Sequence, residues 1–334
     1  MKIKILVFAL CIVQSIMAQD SIQTKKTVHF SFFHPINNDG KESKHNSYKF
    51  SFNLLTGKTG SIDGVEIGGL YNHNTQDVSG VQISGLINYS QNKVNAFQVA
   101  GISNISGTTS GIQYAGISNI TDNFTGMQTS GIVNIAKDFK GIQISGIYNQ
   151  VKKLNGIQIS VINVVDSLQK GGTIGLINCI KKGGYREWEI ATSDYQNIGI
   201  SYKSGGRHIY SILNAGYNFS SKPLMVYGIG IGSLVDISTM WKFRPELVWH
   251  TYLDKSFNNH PNTSATHLKF GLMRKLSDKL AITFIPSLFM SYKEKNGTSY
   301  GYEISKINVF SSKSNSESLQ EIGFGLGIGL SFLN

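Results

Sequence analysis

The sequence predicts an all-β protein in which a region of 15-residue β-repeats is joined to an antiparallel β-barrel. Three observations predict this class. The chain has 36 Gly but only 5 Pro among its 334 residues, and 15% of its residues are charged. A short motif recurs through the middle of the chain, and the last third alternates large apolar residues with small or polar ones. Collagen is excluded because the chain has no Gly-X-Y period and few prolines, and a disordered chain would have fewer apolar residues than the 40% found here.

The first 18 residues read as a secretory signal peptide. Lys2 and Lys4 precede a short apolar run, 5–13, and Ala18 stands before the expected cleavage site. We therefore expect export, and the full organisation follows from the changes in pattern along the chain. The predicted regions are 1–18, signal peptide; 19–63, N-terminal strands joining the barrel; 64–182, tandem 15-residue β-repeats; and 183–334, a β-barrel-like domain.

The repeat has the consensus G-[IV]-Q-[IVT]-S-G-[IL]-x-N, seen most clearly in GVQISGLIN (80–88) and GIQISGIYN (141–149). Its closing asparagine returns every 14 to 16 residues. If each repeat is one coil of a β-solenoid, equivalent residues stack about 4.8 Å apart and side-chain amides pair with their own copies. The predicted repeat ladder consists of Gln82, Gln98, Gln113, Gln128, Gln143, Gln158, Asn88, Asn104, Asn119, Asn134, Asn149 and Asn163.

The same repeats also fit a barrel in which each repeat is one strand. That alternative places Gln82, Ser84 and Asn88 inside and turns the residues between them towards lipid, namely Val81, Ile83, Gly85, Ile87 and Tyr89. Three features favour the solenoid. The seventh repeat lacks one residue before Val161, which would turn Asn163 to the other face of a continuous strand. The connections are uniform in length. Apolar residues stand where a barrel needs exposed turns: Val94, Phe124, Phe139, Leu154 and Leu168.

The last third alternates as a membrane barrel does. Trp241, Phe243, Pro245, Leu247 and Trp249 share one face of a strand. Near the end, six large apolar residues from Ile322 to Phe332 alternate with glycine and serine. Large apolar residues outside and small or polar residues inside are typical of outer-membrane barrels. The predicted lumen residues are Lys242, Arg244, Glu246 and His250. Glu246 and His250 share a strand face and are expected to form a structural pair.

Together these features carry a resemblance. The leader, the segment FSFFHP (30–35), the tandem repeats and the barrel-like tail resemble the bacterial surface-repeat proteins of Bacteroidota and spirochaetes. The resemblance implies export to the outer membrane or cell surface of a Gram-negative-type bacterium, and it carries no established activity. The chain departs from the repeat pattern at Glu66 in place of Gln, at Ala96 in place of Gly, and in the seventh repeat, which lacks its second Gly.

No pattern in the sequence predicts chemistry. The eight histidines have no metal-ligand spacing, and there is no nucleophile elbow or phosphate-binding loop. We therefore expect a protein that is not an enzyme, with no catalytic residues, no cofactor and no metal. The net charge is +11, but without a basic helix it does not indicate nucleic acid. The expected partners are outer-membrane lipid or lipopolysaccharide and a surface ligand or envelope protein. The expected function is a structural, adhesive or binding scaffold; the alternative is an outer-membrane pore or small-solute channel.

Overall fold

The computed structural model describes residues 24–219, 224–254, 263–296, 299–300, 309–315 and 317–333. It confirms the predicted fold class, with a β-solenoid-like region and a closed eight-stranded antiparallel barrel. The chain divides into two compact units, 1–116 and 117–334, so the boundary falls within the repeats. No helix in the described residues is long and apolar enough to cross a membrane. The predicted signal peptide, 1–18, lies outside the described residues.

From residue 24 onwards, where the structure describes it, the first unit is built from short strands and one 3₁₀ helix, Gly40–His45. Its strands are β1 Lys25–Phe33, β2 Ile36–Asn37, β3 Ser47–Asn53, β4 Thr56–Thr59, β5 Ser61–Gly68, β6 Tyr71–Asn74, β7 Val78–Ser84, β8 Ile87–Ser90, β9 Val94–Ala100 and β10 Ser103–Ala115.

Apart from β2, which pairs antiparallel with β1, these strands form two parallel ladders on opposite sides of the coils. One ladder pairs β1, β3, β5, β7 and β9 in that order, and the other pairs β4, β6 and β8. The long strand β10 belongs to both, because its first part pairs with β8 and its second with β9. Inside the coils an apolar column contains Tyr48, Ile62, Val78 and Val94. Each repeat is therefore one coil.

The N-terminal strands correct one prediction. Residues 19–63 were expected to join the barrel, but β1 and β3 pair in parallel with the solenoid ladder instead. The physical reason is that they alternate as the repeats do. Tyr48 is buried in the apolar column, while Phe50 and Phe52 point outwards in register with Val65 and Ile67. They have Ser51 at the glutamine position of the motif and Gly57 at the position of its closing asparagine, so they lack the two residues that made the repeats recognisable.

In the second unit the coils continue as longer, bent strands. These are β11 Ser118–Ser130, β12 Val133–Ser145, β13 Tyr148–Ile159, β14 Ile162–Ile174 and β15 Ile177–Lys182. Neighbouring strands pair in parallel with equivalent repeat positions opposite each other, for example Gln128 with Gln143. The missing residue of the seventh repeat falls at the corner between β13 and β14, and Asn163 stays opposite Asn149. The deletion shortens a corner and leaves both faces unchanged.

The barrel follows directly, since β15 ends at Lys182 and β16 begins at Tyr185. Its strands are β16 Tyr185–Ser193, β17 Ile198–Gly205, β18 Tyr210–Asn218, β19 Leu224–Gly232, β20 Val235–Asp236, β21 Trp241–Asp254, β22 Thr263–Lys275, β23 Leu280–Phe284, β24 Ser287–Asn296, β25 Ser299–Tyr300, β26 Val309–Ser314, β27 Ser318–Gly325 and β28 Gly327–Leu333. Antiparallel neighbours run from β16 round to β28, and the pairing of β28 with β16 closes the ring. Two of the eight barrel strands are interrupted and consist of β23 with β24 and of β27 with β28.

Candidate functional site

The interior amides of the solenoid form the predicted ladder. All twelve predicted glutamines and asparagines are completely buried. In the first unit, Gln113 Nε2 donates to Gln98 Oε1 at 2.7 Å. In the second, Gln143 Nε2 donates to Gln128 Oε1 at 2.9 Å, and Asn134 Nδ2 donates to Asn149 Oδ1 at 3.1 Å. A buried amide that meets its own copy in the next coil avoids the cost of an unpaired polar group.

The asparagines also bond to the main chain at the coil corners. Asn134 Nδ2 donates to the Ile144 carbonyl at 2.7 Å, and Asn163 Nδ2 donates to the Ile174 carbonyl at 2.9 Å. At the end of the stack, Asn178 Nδ2 donates to Ser211 Oγ at 2.7 Å, on barrel strand β18. The asparagine row therefore holds the corners in place and attaches the last coil to the barrel.

Glu66 occupies the first glutamine position of the ladder. Its carboxylate accepts from Gln82 Nε2 and Asn74 Nδ2 at 2.8 Å each, and from Asn53 Nδ2 at 3.1 Å. The side chain is completely buried. Burial raises the pKa of Glu66 above its ordinary value of 4.5, and the hydrogen bonds that it accepts oppose this effect. In the sequence pattern, Glu66 is only a departure from the motif. Its ladder position shows that it accepts hydrogen bonds from the neighbouring amides.

The raised pKa predicts how the stability of the first unit depends on pH. Because the folded state holds the proton more tightly than the unfolded chain, this contribution is complete below pH 4.5 and is lost as pH rises through the folded pKa. We expect Glu66→Gln to match the parent near pH 4 and to become the more stable protein above it. The difference should grow by about 1.4 kcal/mol for each pH unit until the pH passes the folded pKa. Urea unfolding between pH 4 and 9 measures this, with exposed Glu42→Gln as the control. A constant difference across this range would contradict it.

The barrel lumen contains a cluster of buried charges at the level of Arg244. Its Nη1 donates to Glu187 Oε1 at 2.6 Å, its Nη2 pairs with Glu189, and its Nε lies 3.0 Å from Glu246 Oε1. Lys203 Nζ lies 2.8 Å from the same Glu246 oxygen. All five side chains are almost completely buried. Three carboxylates thus share two cations in the barrel lumen. Tyr210 and Ser331 donate further hydrogen bonds to these carboxylates.

The other predicted lumen residues are also buried inside the barrel. Lys242 pairs with Asp236 of β20. His250 does not pair with Glu246, which corrects that expectation. Its Nδ1 instead lies 3.0 Å from His267 Nδ1, and the Tyr195 ring packs on both imidazoles, 4.9 and 4.2 Å between ring centres. Residues four apart along a strand are separated by about 13 Å, so Glu246 and His250 reach different layers of the lumen.

Sequence reasoning missed the partners of Arg244. Glu187, Glu189 and Lys203 lie on β16 and β17, and only closure of the barrel brings them to β21. The alternation in Glu187-Trp188-Glu189-Ile190 was the available signal, since it places two carboxylates on one face and two apolar residues on the other. In the described part of the chain, no group of three or more His, Cys, Asp or Glu residues is placed to hold a metal ion.

Comparison with protein-family models, curated proteins and solved structures finds no match to this chain. Its function is therefore inferred from the geometry of the ladder, the lumen and the outer walls.

Proposed function

We propose that the barrel anchors this protein in a bacterial outer membrane and that the protein is a non-enzymatic scaffold at the cell surface. The observation that carries the proposal is the polarity of the barrel. Its outer wall exposes large apolar side chains, among them Trp188, Ile229 and Trp249, each about half exposed, while most charged side chains of its strands, such as Lys203 and Arg244, are buried inside. A water-soluble barrel has the opposite arrangement, and a barrel in lipid has this one.

The dimensions of the barrel support the same proposal. A strand that crosses a bilayer at a tilt needs about 9 to 11 residues. The uninterrupted barrel strands have 8 to 14 residues, from β17 with 8 to β21 with 14. Each barrel strand has its backbone paired with neighbours on both sides, which a chain in hydrocarbon requires.

The scaffold role is supported by what the polar groups do. The ladder amides bond to one another and to the coil corners, and the lumen charges pair with each other, so both sets serve to hold structure. The sequence resemblance to bacterial surface-repeat proteins points to the same location. The proposed partners are therefore lipid or lipopolysaccharide around the barrel and a surface ligand or envelope protein on the solenoid.

The pore alternative requires an open lumen. An open channel needs a continuous water-filled path, but at the level of Arg244 the interior holds a cluster of paired, buried side chains. Barrels of eight strands have interiors that side chains can fill. We therefore expect no single-channel conductance from the folded protein in a planar bilayer. Reproducible conductance steps would favour the channel instead.

The anchor is tested by the electrophoretic mobility and extraction of the folded protein. We expect the unheated protein to migrate differently from the boiled protein and to need detergent for extraction, because a closed barrel in lipid resists denaturation by dodecyl sulfate. Protease treatment of intact cells should then cleave the exposed solenoid and leave a protected fragment containing the barrel. Extraction without detergent together with unchanged mobility would contradict the proposal.

A further inference from the structure

One edge of the solenoid in the second unit is apolar and exposed. At the corner where each coil passes from the glutamine strand to the asparagine strand, the exposed side chains are Ile117, Ile132, Ile147, Val161, Leu176 and Ile177. Each is at least 40% exposed. The corresponding corners of the first unit expose Leu70, Leu86 and Ile102 in the same way. The apolar edge, as we call this row of corners, is therefore a regular feature of the repeat.

The opposite edge of the same coils is polar. Its corners carry ion pairs from one coil to the next, Lys137 with Asp122 at 2.8 Å and Lys181 with Asp166 at 2.6 Å, all largely exposed. The buried side chains beneath each edge have the opposite polarity to the exposed ones. Apolar Phe124, Phe139 and Leu154 lie beneath the polar edge, whereas the glutamine and asparagine rows lie beneath the apolar edge. A solenoid surrounded by water would be more stable with polar corners over an apolar interior at both edges.

Many backbone groups at the apolar edge have hydrogen bonds within the protein. The corner amides bond to the preceding coil, with Tyr148 N donating to the Ile132 carbonyl at 2.9 Å and Gly146 N to the Gly131 carbonyl at 3.2 Å. A corner carbonyl, that of Ile159, accepts from Asn149 Nδ2 at 3.0 Å. Exposed loops normally rely on water for these bonds. Because the coils supply these bonds, entry of the apolar edge into a medium without water would leave fewer backbone groups unpaired.

The apolar edge is continuous with the outer wall of the barrel. Between the last coils and the wall lies an apolar groove of about 530 Å³. Ile159, Val161 and Leu176 line it on the solenoid side, and on the barrel side it is lined by Ile229, Leu247 and Trp249. The barrel side of this groove is part of the surface that the proposed function assigns to lipid. A medium that surrounds the barrel would therefore reach the apolar edge without a break.

We propose that the apolar edge is immersed in the hydrocarbon of the bilayer that holds the barrel, with the polar edge in water. The inference rests on the proposed membrane anchor and extends it to the repeats. The five stacked strands β11 to β15 give an apolar row about 19 Å long, at about 4.8 Å between coils. The row carries no charged side chain in residues 141–149 and 156–162. The repeat is thus a lipid-contacting device in which buried amides replace the water that its corners would otherwise need.

Environment-sensitive labels at single cysteines test this in reconstituted vesicles. With Cys11 and Cys179 replaced by serine, a fluorophore is attached at Ile147→Cys on the apolar edge. Lys152→Cys, in the polar half of the same coil, is the matched control, and Leu247→Cys reports on the barrel wall. We expect lipids with brominated acyl chains to quench the label at 147 as strongly as that at 247, and several-fold more than that at 152, which aqueous iodide should quench instead.

The outcomes separate the two proposals. If the label at 247 is quenched by brominated lipid but that at 147 responds to iodide, the apolar edge lies in water and this inference is wrong while the anchor stands. If the label at 147 is shielded from both quenchers, protein covers the edge, for example a second copy of the chain, which also overturns the inference. If brominated lipid does not quench the label at 247, the anchor itself fails.

Discussion

Replacing Arg244 with methionine is expected to destabilise the folded barrel by about 3–5 kcal/mol, because it leaves buried carboxylates without their main cation. Arg244 contacts Glu187, Glu189 and Glu246, and after its removal only Lys203 remains among them. The Lys203 ammonium lies 2.8 to 3.5 Å from the same three carboxylates, so one cation would then face three anions. Methionine keeps much of the side-chain volume, so the loss reports on charge more than on packing.

Unfolding by guanidinium in detergent micelles, followed by tryptophan emission, measures this effect, since all three tryptophans, Trp188, Trp241 and Trp249, lie on barrel strands. The matched control is Arg207→Met. Arg207 makes a two-pronged pair with Asp236, but about half of each side chain is exposed, so its loss should cost about 1 kcal/mol or less. If both variants lost equally little, water would be solvating the carboxylates, and the lumen would be open enough to revive the channel alternative.

Replacing Gly141 with alanine is expected to destabilise the solenoid coils of the second unit by about 2–4 kcal/mol. Gly141 has φ +131°, which side chains rarely adopt, and a Cβ there would lie 1.9 Å from the carbonyl oxygen of Gly126 in the preceding coil. Relief would require the two coils to move apart, which weakens the neighbouring Gln128–Gln143 bond. The third repeat carries Ala96 at the equivalent position, so the expected loss applies to a repeat whose glycine has a positive φ and lies close to the preceding coil.

The readout is limited proteolysis of residues 117–182, combined with thermal unfolding by circular dichroism. Lys140→Ala, next along the same strand and exposed, is the control and should change neither result. Earlier cleavage confined to the repeat segment is expected for Gly141→Ala, with the barrel still resistant to dodecyl sulfate. An unchanged melting temperature and cleavage pattern would show that the coils are not packed as closely as the structure describes.

The sequence predicted how the repeats pair better than it predicted what their side chains face. Regular return of Gln and Asn is enough to predict a ladder, and the residue missing before Val161 identifies a corner. The orientation of the apolar residues was harder. The structure is a solenoid, yet Gln82, Ser84 and Asn88 point inwards and Ile83 outwards, as the barrel alternative had placed them. Alternation along a strand predicts which residues share a face. The assembled fold determines whether that face meets the protein interior or the surrounding medium.

The lumen was predictable one strand at a time. Alternation on β21 was sufficient to turn Lys242, Arg244, Glu246 and His250 inwards. The partners were not predictable, because Arg244 and Glu187 are 57 residues apart and meet only when β28 pairs with β16. The prediction that the N-terminal strands join the barrel was wrong for a related reason, since Tyr48 and Phe50 fit the repeat by position and not by residue type. Local patterns specify faces, and long-range closure specifies neighbours.

The most direct test of the central claim, that the apolar barrel wall faces lipid, uses the native tryptophans. Trp188, Trp241 and Trp249 all project from the outer wall with 38–54% of each residue exposed. In vesicles of ordinary lipid we expect blue-shifted emission, and in vesicles of lipid with brominated acyl chains we expect strong quenching, with little effect of iodide. Red-shifted emission that iodide quenches and brominated lipid leaves unchanged, from protein that folds without lipid or detergent, would contradict the claim.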